Sequence, residues 1–134
     1  MFSSFVKAPV VHLESLAEGS YSFYSTDKIE SVYFTNVIDL GFSYIYECDS
    51  CDAGKVRPLF TRIDGESIAV DNIGTSKILR ALGGHVVSQS DFGIYAYSAR
   101  IASYIIEDNR KINIQIAYSD DRIIIGWPVI LGSY

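Results

Sequence analysis

Cysteine, proline and positive charge are all scarce in this chain of 134 residues. It has two cysteines, three prolines, and 11 Lys and Arg against 16 Asp and Glu. Two cysteines do not complete a zinc site, which takes about four ligands. The net charge of −5 argues against nucleic acid or an anionic membrane surface as partner, because both select clustered Lys and Arg. No apolar run approaches the ~20 residues that cross a bilayer. No glycine-rich phosphate loop is present: Gly83-Gly84 follow a predicted helix, whereas phosphate cradles precede one. Low-complexity tracts, linkers and internal repeats are also missing. What remains is 49% hydrophobic and 20% charged, the make-up of one globular domain able to bury its own core.

The stretch from Lys111 to Leu131 organises the rest. Ile112, Ile114, Ile116 and Tyr118 alternate with Lys111, Asn113 and Gln115, the period of a strand with one buried face. Ser119-Asp120-Asp121 supplies a turn. The run Arg122 to Leu131 is apolar on both faces and suits a central strand, with Gly126 and Pro128 interrupting it.

Taken in order, Pro9 to Glu18 has the spacing of a short helix ended by Gly19. Ser20 to Ser25 reads as a strand. Ile29 to Leu40 carries both a capping-box pattern from Asp27 to Glu30 and a β-branched, aromatic composition; the composition favours a strand. Ser43 to Cys48 alternates as a strand, Asp49 to Gly54 turns, and Lys55 to Ile63 returns as a strand broken by Pro58. Asp64-Gly65 signals a two-residue hairpin completed by Glu66 to Val70. A helix capped by Thr75 or Ser76 has an apolar stripe of Ile78, Leu79 and Leu82. His85 to Gln89, Ile94 to Tyr97 and Ala99 to Ile106 follow as β structure up to an Asp108-Asn109 turn. This order predicts an α+β fold, a large antiparallel sheet with one or two helices packed against it.

The segments Ile63-Asp64-Gly65-Glu66-Ser67, Leu79-Arg80-Ala81-Leu82-Gly83, Tyr95-Ala96-Tyr97-Ser98, Lys111 to Ala117 and Gly126-Trp127-Pro128-Val129-Ile130 resemble the YwmB-like proteins of Gram-positive spore formers. The resemblance covers about the last 70 residues and consists of hydrophobic strands and a few glycines. It implies a fold similar to the TATA-box-binding protein, with helices on one side of a curved sheet, and no established activity. DNA binding does not carry over, since the basic, wedge-inserting surface is not recognisable in an acidic chain. No secretion signal is evident in Met1 to Lys7. With Met1 as the natural start the expectation is a cytoplasmic protein; if a longer chain has been trimmed, an extracytoplasmic one.

Cys48-Asp49-Ser50-Cys51 is the most chemically suggestive motif. A C-x-x-C turn presents two thiolates to zinc, and His12, His85 or a second chain would have to supply the other ligands. A redox role lacks the helix N-terminus that stabilises a thiolate. The competing reading, two turn cysteines with no task, is favoured. Gly65-Glu66-Ser67 lacks the second glycine of a nucleophile elbow, and Asp64 with Glu66 reads as turn chemistry. Tyr44 with Tyr46, and Tyr95 with Tyr97, each line one sheet face. Should the four share an uncovered face, they form a partner surface. The expectation is therefore a non-enzymatic interaction or structural domain binding a protein partner through aromatic residues. A metal- or redox-linked protein centred on Cys48 and Cys51 is the alternative. The apolar terminal strand, with Tyr134 close behind it, also predicts an open edge and a homodimer.

Overall fold

The computed structural model describes residues 18–71, 74–119 and 121–127. Ten strands and two short helices follow one another along these residues. They are β1 (Gly19–Ser25), β2 (Asn36–Asp39), β3 (Tyr44–Asp49), α1 (Ala53–Val56), β4 (Gly65–Asp71) and α2 (Thr75–Leu82), then β5 (Gly84–Ser90), β6 (Gly93–Ser98), β7 (Ile105–Glu107), β8 (Arg110–Ile112), β9 (Ile114–Ser119) and β10 (Arg122–Trp127). Eight strands make one antiparallel sheet in the order β2-β3-β1-β4-β10-β9-β6-β5, and β7 with β8 make a separate ribbon. The fold is α+β, a curved antiparallel sheet with its helices on one face.

Strand alternation puts one row of large side chains across the sheet. Cys48, Tyr21, Ile68, Ile125, Ile116 and Ile94 are successive cross-strand neighbours, and all are buried. Ile78 and Leu82 of α2, with Ala53, Val56 and Phe60 of the link from β3 to β4, belong to the same core. This is the inner face. Burying each such side chain contributes roughly 1.5–3 kcal/mol before entropy is counted.

The alternation of the terminal hairpin holds in part. Ile112, Ile114 and Ile116 are buried, but Tyr118 is 38% exposed, and the predicted strand is split at Asn113 into β8 of the ribbon and β9 of the main sheet. Asn113 departs from its expected place on the wet side. It is fully buried, its Oδ1 accepting from the Ser98 N–H at 2.8 Å and its Nδ2 donating to the carbonyls of Ser98 and Ile101 at 2.9 and 3.1 Å. Those bonds satisfy a chain reversal after β6 that has no ladder partner of its own. β10 lies between β4 and β9, so it is a central strand, and the edge argument for pairing with a second copy does not apply to it. The edges among the described residues are β2 and β5.

Other expectations are corrected. Lys55 to Ile63 is not a strand: 3-10 turns at Ser50–Asp52 and Arg57–Leu59 flank α1. Pro58 sits in the opening of the second turn, where its fixed φ and missing N–H are tolerated. Asp64-Gly65 makes no hairpin. Gly65 opens β4, which is buried through Val70 and pairs with β1 and β10. Of Ile29 to Leu40, only Asn36–Asp39 is strand, while Ile29 and Phe34 pack against the core from a loop. Ala99 to Tyr104 is loop, and strand resumes at β7. Helix α2 is preceded by Gly74 without a side-chain cap, and it ends where predicted, on Gly83 at φ +69°. The Asp108-Asn109 turn is confirmed, both residues having positive φ. The helix expected over Pro9 to Glu18, His12, and the chain from Pro128 to Tyr134 lie outside the described residues, Glu18 excepted.

Candidate functional site

The two cysteines differ in burial. Cys48 is on the inner face of β3 and buried, whereas Cys51 is exposed in the 3-10 turn beyond it, and both are free thiols. Burial, helped by Asp52 and Asp49 nearby, pushes the Cys48 thiol up to about 12. A thiol held protonated is a poor nucleophile at neutral pH. Among the described residues, the side chains that bring ligand atoms within 4.8 Å of one another are Asp49, Cys51 and Asp52, without Cys48. Asp52 also pairs with Lys55 at 3.3 Å. His85 is an exposed residue of β5 and touches Tyr97, not this group.

A direct consequence concerns thiol chemistry. At pH 7–8 iodoacetamide should label Cys51 alone in the folded protein, with both residues labelled in urea, as peptide mass spectrometry reads out. Because the Cys48 thiol is raised in the fold, native stability is undiminished below the ordinary thiol range and falls as pH climbs through it toward 12. Equal labelling of the two cysteines in the native state would contradict this geometry.

The four tyrosines singled out by sequence are divided between the faces. Tyr44 and Tyr46 lie on the inner face, their ring centroids 5.7 Å apart. Tyr46 is 1% exposed; its hydroxyl donates to the Asp27 carbonyl at 2.6 Å and accepts from the Ile29 N–H at 3.1 Å. Tyr44 is half-buried against the same cluster. Tyr95 and Tyr97 alternate with buried Ile94 and Ala96 on β6, so they stand on the outer face and stay partly exposed. No single aromatic surface joins the pairs.

The outer pair belongs to a distinctive end of the sheet. From Gly84 to Ser98 the sequence carries one carboxylate, Asp91, and no Lys or Arg. His85 packs edge-on to Tyr97 at 5.9 Å, and Phe92, at the tip of the β5–β6 hairpin, is 83% exposed. Its backbone is not loose, since the Phe92 carbonyl accepts from the Tyr118 N–H at 3.0 Å. The exposed ring is thus displayed from a fixed point of the sheet.

Register explains the hollow beside it. Ser88, Tyr95 and Gln115 form one row on the outer face, and Ser90, Gly93 and Ala117 form the next. Long side chains therefore border a row of small ones. Gly93 is fixed as glycine by backbone approach: a Cβ there would sit 2.1 Å from the Ile116 carbonyl oxygen. The result is a cleft of about 290 Å³ walled by Ser88, Gln89, Ser90, Phe92, Tyr95 and Gln115. Sequence reasoning found the two tyrosines but not the cleft. The glycine and alanine that create it are set side by side only by the β6–β9 pairing.

Glu66 is the other misplaced residue. Expected in a turn, it is 3% exposed in β4, accepts from the Tyr21 hydroxyl, and pairs with Arg57 at 2.9 Å. Arg57 also lies over the rings of Tyr21 and Phe23. This ion pair is walled in by core aromatics and ties the β3–β4 link to the sheet.

No family model, no curated protein and no solved structure matches this chain. No helix among the described residues is long and apolar enough to cross a membrane.

Proposed function

We propose that this chain is a non-enzymatic interaction domain whose contact surface is the outer face of the β5–β6–β9 end. The observation that supports it is the exposed, sheet-anchored Phe92 lining one cleft with Tyr95, with Tyr97 farther along the same face of β6, on a stretch with one carboxylate and no cation. Contact surfaces favour rigid aromatic side chains and avoid charge at their centres, because desolvating a charge costs more than contact returns. This reading keeps the outer half of the aromatic surface expected from sequence and leaves Tyr44 and Tyr46 to the core. The YwmB-like resemblance is compatible with it and adds no chemistry of its own.

The test uses a photo-reactive benzoylphenylalanine at position 92 of the full chain in its native cell. Phe42, 96% exposed at the β2 edge, is the control position. Irradiation should give a discrete adduct from position 92 and none from position 42. Adducts from position 42 alone, or no adduct to protein or glycan from either position, would overturn the assignment.

A further inference from the structure

We propose that the cleft between Ser88, Tyr95 and Phe92 binds a neutral saccharide. The inference rests on the interaction reading above and names its ligand. Among the described residues, the lining carries hydroxyls from Ser88 and Ser90, the amide of Gln115 and the rings of Tyr95 and Phe92, with no charged side chain, and Gln89 borders it from the alternate register position opposite Ile94. Phosphates, sulfates and carboxylates need a cation or a helix N-terminus to offset their desolvation, and this lining supplies no side-chain cation. A metal ion needs carboxylate, imidazole or thiolate ligands, and none lines the cleft.

A sugar ring meets what is there. Its hydroxyl edges both donate and accept, as Ser, Gln and Tyr side chains do. Its C–H faces pack on the electron-rich faces of aromatic rings. The volume, about 290 Å³, lies near the lower limit of small-ligand sites, roughly 300 Å³, so it takes one or two rings with the rest of a chain outside. A peptide partner fits less well, because the cleft offers Phe92 and Tyr95 but none of the arginine or methionine that enrich protein interfaces.

Calorimetric titration of the full chain with cellobiose, maltose and N,N′-diacetylchitobiose tests the proposal, with a sulfated heparin disaccharide as the charged comparison. At least one neutral disaccharide should bind at one site per chain, and the sulfated one should not. Phe92→Ala should weaken that binding by about tenfold or more, the loss of one stacked ring. Ala117→Leu should abolish it by filling the floor of the cleft. Both substitutions lie on the outer face, so thermal melts should stay close to wild type and separate lost binding from lost folding. No binding by any of the three neutral sugars, equal binding of the sulfated one, or binding indifferent to both substitutions would overturn the saccharide. A protein adduct from position 92 together with silent titrations overturns the saccharide and leaves the interaction reading standing. No adduct and no titration overturns both.

Discussion

Glu66→Ala should lower unfolding free energy by about 3–5 kcal/mol in urea melts, the cost of breaking a buried ion pair from one side. Glu66 sits in the most enclosed strand of the sheet, 3% exposed, and its carboxylate takes hydrogen bonds from both Tyr21 and Arg57. Removing it takes from Arg57, 17% of whose side chain is exposed, the carboxylate it pairs with at 2.9 Å, while the guanidinium stays held over Tyr21 and Phe23. The pair itself is not expected to be a large net source of stability, because desolvation of both ions offsets most of their attraction. The double variant Arg57→Met with Glu66→Leu should therefore recover most of the loss. A double variant as unstable as Glu66→Ala would mean that Glu66 acts by shape alone.

Ile116→Ala should cost about 2–5 kcal/mol, the usual range for emptying a packed aliphatic site. Ile116 is fully buried between Ile125 and Ile94 in the inner row, and strands on both sides limit collapse into the space left behind. Phe92→Ala, on the outer face and largely solvated, should change stability by less than about 0.5 kcal/mol. Comparable losses at the two positions would mean that the faces of this half of the sheet are assigned wrongly.

What was legible in the sequence follows how local the physics is. Ile114 and Ile116 declare the buried face of β9 by their alternation, and Gly83 declares a helix end by its own backbone freedom. Asp64-Gly65 and Lys55 to Ile63 depart from the expectation for the converse reason. The dipeptide is a turn signal only when two neighbouring strands pair through it, and here β4 pairs instead with β1 and β10. Glu66 looked like a solvated turn residue because its partner, Arg57, reaches it from a helical link that the spacing did not reveal. Asn113 was placed in water by strict alternation, yet the loop after β6 needs its amide more than solvent does. The cleft was illegible altogether. Its small row, Ser90 beside Gly93 beside Ala117, exists only once three strands are in register.

The tyrosine pairs carry the central claim, that one aromatic pair is core and the other is displayed. Nitration by tetranitromethane under native conditions, followed by peptide mapping, measures it residue by residue. Tyr95 and Tyr97 should be modified readily, and Tyr46 should react only when the protein unfolds, since its ring is buried and its hydroxyl is engaged at Asp27 and Ile29. Nitration of Tyr46 as fast as Tyr97 in the folded protein would contradict the division of the sheet into a core face and a contact face.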